Sequence, residues 1–120
     1  MRLKNFLLVV RDIEVSKAFY KELFSLHVVR DFGENVILSE GLVLQEEKVW
    51  EAAVGKQASY GSHNAELYFE ETDWDSFMER LRQSSLPIEY LNEETESCWG
   101  NRMVRIYDPD KNILEIREVT

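Results

Sequence analysis

Two glutamates stand where an apolar strand gives a charge little reason to be. Glu115 lies inside Ile113-Leu114-Glu115-Ile116, and Glu66 opens the run Glu66-Leu67-Tyr68-Phe69-Glu70. Brought together, such carboxylates form an acid/base pair in which burial beside a like charge raises one pKa, suiting it to move a proton next to a carbonyl. The same residues support two other readings. Arg105, of matching strand parity, pairs with one or both, because a buried carboxylate is costly unless paired. Alternatively, the pair forms an anionic site for a cationic ligand.

Trp50, Tyr68, Trp99 and Tyr107 are candidates to line a pocket and stack on a flat ligand, the alternative being ordinary core or dimer contact. Trp99 is the strongest of them, since it precedes Gly100 after the polar run Asn92-Glu93-Glu94-Thr95-Glu96-Ser97, where an apolar ring needs a reason. Cys98 makes a poor nucleophile, because the acids before it raise a thiol pKa. His63 reads as a loop residue before the fifth strand, with a general-base role as the sharper alternative. His27 reads as an exposed strand position, and Glu93, Glu94, Glu96 and the Glu46-Glu47 pair as solvated loop charge.

The elements that must position these residues occur twice. Phe6 to Val10 is an apolar β-rich run, and Arg11-Asp12 ends it and opens a helix with Ile13, Ala18, Phe19, Leu23 and Phe24 near helical spacing. Strands are expected at Leu26 to Asp31, Asn35 to Ser39 and Leu42 to Glu46, separated by turn chemistry at Phe32-Gly33-Glu34 and Glu40-Gly41. The stretch from Glu47 to Ser62 joins the halves as a short helix and loop. The second half then offers a strand at Ala65 to Glu70 and a helix capped by Asp73 with Trp74, Phe77 and Leu81 as its stripe. Three more strands follow at Pro87 to Leu91, Asn101 to Tyr107 and Asn112 to Arg117, the last two joined by an Asp108-Pro109-Asp110 turn.

The expected fold is α+β: one domain of two βαβββ modules, about 1–60 and 61–120, forming a curved mixed sheet with a central cleft and the helices outside. Spacing superposes Asn5 on Glu66 and puts Gln45 near Glu115, within one residue. Strand parity sends Leu67 and Phe69 toward the helix and leaves Glu66, Tyr68, Met103, Arg105, Tyr107, Ile113 and Glu115 on the opposite, concave side, where one-sided packing leaves room for a ligand.

Composition narrows the partners. A formal charge of −9, with lysines and arginines scattered singly, argues against nucleic acid or an anionic membrane. No apolar run is long enough to span a bilayer, Met1-Arg2-Leu3-Lys4 leads into a strand rather than a signal-peptide core, and one cysteine permits no internal disulfide. The expected location is cytoplasmic. With 44% hydrophobic residues in 120, the chain has ample material for a core.

Val10-Arg11-Asp12-Ile13-Glu14-Val15-Ser16-Lys17-Ala18-Phe19-Tyr20, together with Tyr107-Asp108-Pro109-Asp110 and Ile113-Leu114-Glu115, resembles the vicinal oxygen chelate superfamily, across almost the whole chain. That superfamily includes lactoylglutathione lyases, extradiol dioxygenases, fosfomycin-resistance enzymes and bleomycin-binding resistance proteins. In its metal-dependent members, the resemblance implies one ligand on the first and one on the last strand of each module, commonly His and Glu. The matching positions here are Asn5, Gln45, Glu66 and Glu115, and only Glu115 keeps the usual residue type. An all-oxygen set favours Mg²⁺ or Mn²⁺ over Zn²⁺ or Ni²⁺. The resemblance also implies a homodimer, one arrangement of which exchanges modules between chains.

Two function classes follow. One is a binding protein that holds a small aromatic or cationic molecule, as the bleomycin-binding members do. The other is a metal-dependent lyase, isomerase or dioxygenase-like enzyme using Glu66 and Glu115. A lactoylglutathione lyase is disfavoured, because its anionic thioester would meet two carboxylates with only Arg105 nearby to offset them.

Overall fold

The computed structural model describes residues 1–96 and 100–120, so Cys98 and Trp99 lie outside the described residues. The chain divides into two compact units, Met1–Ser59 and Tyr60–Thr120.

In the first unit, β1 (Phe6–Val10) leads into α1 (Ile13–Phe24), then β2 (Val28–Asp31), β3 (Asn35–Leu38) and β4 (Leu42–Glu46), and α2 (Glu47–Val54) closes it. The sheet order is β1-β4-β3-β2, with β1 parallel to β4 and the other pairs antiparallel. Asp12 starts α1 by accepting hydrogen bonds from the backbone N–H groups of Glu14 and Val15, which the helix leaves without internal partners. The helix ends in a left-handed Ser25 (φ 56°), where Ser25 donates its N–H to the carbonyl of Lys21 and Leu26 donates to that of Tyr20. This cap uses Leu26 as a buried plug, so β2 begins at Val28 rather than at Leu26, and His27 sits exposed just before it. Ile13, Phe19, Tyr20 and Leu23 are buried, as are Leu8, Val10, Val36, Leu38, Leu42 and Leu44 from the sheet positions of one parity.

The second unit repeats this plan with β5 (Glu66–Glu71), α3 (Trp74–Gln83), β6 (Glu89–Glu96), β7 (Arg102–Tyr107) and β8 (Ile113–Glu118). Its sheet runs β5-β8-β7-β6, again with the first pair parallel. Asp73 caps α3 through the N–H of Ser76. Trp74, Phe77, Met78 and Leu81 are buried with Val104, Ile106, Leu114 and Ile116, which share one parity on the two central strands. Arg102 fastens the far end of this layer. It forks onto Glu118, reaches Asp75 at 3.1 Å and lies over the Trp74 ring.

The strand expected to stop at Leu91 runs on to Glu96, so Glu93, Glu94 and Glu96, read as solvated loop charge, belong to β6, while Glu46 ends β4 and caps α2, which Glu47 begins. Two register shifts, between Tyr90 and Asn92 and between Asn92 and Thr95, break the pattern a sequence reading depends on. One acid has a structural task. The indole Nε1 of buried Trp74 donates to Glu94 Oε1 at 2.5 Å, giving the ring's polar atom the partner that burial requires. Glu94→Ala is therefore expected to cost about 1–2 kcal/mol in urea unfolding, because it strands a buried donor. Glu94→Gln keeps an acceptor and retains most of the stability, and equal losses in the two variants would dismiss the hydrogen bond as the cause.

Candidate functional site

The face of the second sheet opposite α3 can be built row by row from the strand register. Across β5, β8, β7 and β6, one row reads Glu66, Ile113, Tyr107, Glu89, and the next reads Tyr68, Glu115, Arg105, Asn92. A third reads Glu70, Arg117, Met103, Thr95. Alternation along each strand puts these side chains on one side, away from Val104, Ile106, Leu114 and Ile116.

Glu115 is the centre of this grid and is buried, at 5% exposure. Its Oε1 accepts from Arg105 Nε at 2.9 Å and lies 2.8 Å from Arg105 Nη2, while its Oε2 accepts from Arg117 Nε at 2.6 Å. Arg105 spends its remaining arm on Asn92, donating from Nη1 to Oδ1 at 2.8 Å. Burial pushes the Glu115 carboxyl up, but the hydrogen bond from Arg117 and the charge and hydrogen bond of Arg105 outweigh it and hold the group below its ordinary value. Glu115 stays ionised at neutral pH, which makes it a poor group for taking and returning a proton there.

The residues expected at a site divide between the two units. Glu66, Tyr68, Arg105, Tyr107 and Glu115 share the open face of the second sheet. Glu66 is exposed and opposite Ile113 in the ladder, one row from Glu115. Trp50 sits half-buried on α2 of the first unit, and Asn5 and Gln45 also belong to that unit. His63, in a left-handed conformation before β5, lays its ring 6.3 Å from that of Tyr107, which also carries Lys111 over its face.

The ladders revise one superposition. The caps Asp12 and Asp73 preserve the match of Asn5 with Glu66, and Leu7 then corresponds to Tyr68. Leu7 faces Val43 across β4, whereas Tyr68 faces Glu115 across β8. Val43 is thus the register counterpart of Glu115, and Gln45, opposite Val9, is the counterpart of Arg117. Spacing misjudges this by two residues, because the tight turn Ser39–Gly41 and the Asp108 turn deliver their strands with different numbers of residues. The corresponding face of the first sheet is consequently apolar around Leu7, Val43 and Ile37.

This chemistry suits a metal ion badly. Both oxygens of Glu115 are engaged by guanidinium groups, Asn5 and Gln45 offer only neutral amides, and the position matching Glu115 in the first unit is a valine. Among the described residues, no three His, Cys, Asp or Glu side chains gather where they could hold one.

Sequence reasoning missed Arg117 and Asn92. Arg117 was legible as the residue two places after Glu115 on one strand, and therefore on the same face. Asn92 was hidden by the irregular register of β6.

Paired βαβββ units, each with a parallel first-to-last strand pair, define a class of small two-module α+β proteins. The profile of the glyoxalase-like domain matches residues 3–120, and the chain belongs to that family, within the vicinal oxygen chelate superfamily. A protein of unknown function from Agrobacterium tumefaciens strain C58 is 31% identical, with 100% of this chain and 95% of that one covered at a TM-score of 0.82. A glyoxalase-related enzyme from Fulvimarina pelagi shares the fold at 22% identity, covering 98% of this chain and 88% of that one, with a TM-score of 0.82. A glyoxalase/bleomycin resistance protein/dioxygenase family enzyme from Burkholderia phytofirmans PsJN does so at 16%, covering 98% of each chain, with a TM-score of 0.75. No protein with curated annotation matches the chain in sequence. Among the described residues, no helix is long and apolar enough to cross a membrane.

Proposed function

We propose that this glyoxalase/bleomycin-resistance-like protein binds a small molecule with a flat ring on the open face of its second sheet. The observation that carries the reading is the middle row of the grid. Tyr68 leaves 52% of its surface to solvent in the row that holds the buried Glu115 and its Arg105 partner. A ring-sized apolar surface beside fixed polar groups is the combination from which small-molecule sites are built. Tyr107, one row along, adds a second ring.

The cationic ligand also expected from the sequence has weaker support, because Glu115 already holds two guanidinium groups. The acid/base reading has weaker support for the same reason. Thermal-shift screening of small aromatic compounds, followed by titration of the hits, tests the proposal. Tyr68→Ala is expected to weaken binding roughly fivefold to tenfold by removing the stacking surface, and a chelator is expected to leave affinity unchanged. Turnover lost on chelation and restored by Mn²⁺ would overturn the proposal in favour of a lyase, isomerase or dioxygenase-like enzyme with Glu66 and Glu115 as its metal ligands.

A further inference from the structure

We infer that the ring-bearing ligand of this face carries an anionic group, of carboxylate type, and that Arg117 receives it. The inference rests on the proposed binding role and adds the sign of the ligand's charge and the residue that reads it.

Arg105 is spent, with its Nε and Nη2 directed at Glu115 and its Nη1 at Asn92. Arg117 is held differently. Only its Nε is used, on Glu115 Oε2 at 2.6 Å, and among the described residues Nη1 and Nη2 donate to nothing else. Its side chain is 34% exposed, so these donors are within reach of a ligand. The bond at Nε fixes the plane of the guanidinium, and a planar fork held in place loses little freedom when it takes a carboxylate through two parallel hydrogen bonds.

The charge balance favours the same sign. Arg105, Arg117 and Glu115 together carry a net +1, and the buried Glu115 carboxylate has both oxygens committed. A cation must displace a guanidinium to reach it, whereas an anion displaces nothing. Glu66 and Glu70 lie on the same face, Glu70 directly opposite Arg117 in the ladder. Both are exposed, where ion pairing is weak and salt screens it; the Glu66 charge does act on the Arg117 guanidinium, but as a screened contact with which an arriving carboxylate can compete. Tyr68 on β5 stands opposite Glu115 on β8, one row from Arg117, and it acts electrostatically on the Arg117 guanidinium, which places the ring beside the fork.

Three probes share one ring and differ in charge: benzoate, benzyl alcohol and benzylamine. Titrated into the full chain and followed by amide chemical shifts in the three rows, benzoate is expected to bind about tenfold more tightly than benzyl alcohol. Benzylamine is expected to be the weakest, and added NaCl should erode the benzoate preference. Arg117→Met should abolish that preference while benzyl alcohol affinity stays within about twofold, since Glu115 keeps Arg105 and the fold keeps its pair. A preference for benzylamine, or a benzoate preference that survives Arg117→Met, overturns the inference and leaves ring binding standing. If no probe perturbs the Tyr68 row, ring binding on this face falls and the inference falls with it.

Discussion

Glu115→Leu is expected to destabilise the fold by about 2–3 kcal/mol at pH 7, an effect large enough to read directly from the midpoint of urea unfolding. The side chain it removes is buried and holds two cations in place. Without it, Arg105 and Arg117 lie diagonally across β7 and β8 with no charge between them. Removing one side of a fully buried pair costs about 3–5 kcal/mol. The two arginines are 30% and 34% exposed, so water screens part of their repulsion and the expected loss sits below that range.

The pH dependence separates this cause from lost packing. The Glu115 carboxyl is held below its ordinary value of 4.5 in the folded chain. It therefore contributes stability that is fully present above that value and is lost as pH falls through the lower folded value. The gap between the natural chain and Glu115→Leu should narrow when both are unfolded in acid below about pH 4. A gap of constant size from pH 7 into that range would mean that the loss comes from shape rather than charge. The double variant Glu115→Leu/Arg117→Met should recover part of the loss, because the two sites touch and their effects cannot add independently.

Asp108→Ala is expected to cost about 2–4 kcal/mol, since it unmakes a turn as well as a contact. Asp108 is 4% exposed. Its Oδ1 accepts from the backbone N–H of Asp110 at 2.9 Å and of Asn112 at 2.8 Å, and its Oδ2 accepts from the Asn112 side chain at 2.9 Å. Alanine leaves those donors without their acceptor at a site with little access to water. The turn also holds Lys111 in a left-handed conformation (φ 70°) and delivers β8 in the register that sets Glu115 against Arg105. A slip of one residue there would turn Glu115 toward the helix side. Asp108→Asn keeps the Oδ1 acceptor and gives up the bond to the Asn112 amide, so its loss should be smaller, about 1 kcal/mol. Equal losses in the two variants, measured by urea unfolding, would exclude the turn bonds as the origin of the stability.

Much of this organisation is legible in local chemistry. Asp12 and Asp73 announce their helices because a carboxylate before an apolar stripe satisfies N–H groups that any helix start leaves open. The Asp-Pro-Asp turn announces its hairpin for a similarly local reason. Strand parity is also enough to put Tyr68, Arg105, Tyr107 and Glu115 on one face. Glu93, Glu94 and Glu96 are exposed as expected, but their reading as a loop fails because a polar, bulged edge strand shows no alternation to read. The pairing of Gln45 with Glu115 fails because it depends on how many residues each turn consumes.

The amino-acid sequence by itself determined where the helices begin, that the βαβββ plan is used twice, and which face of each strand is apolar. All of these follow from interactions between residues a few positions apart. The tertiary structure alone decided that Val43 rather than Gln45 stands in the place of Glu115, that Glu115 is shared between two arginines, and that Arg117 is anchored on Glu115 through its Nε. Those outcomes depend on which residues of separate strands lie opposite one another, and register between strands is set by turns, bulges and packing together rather than by any short run of residues.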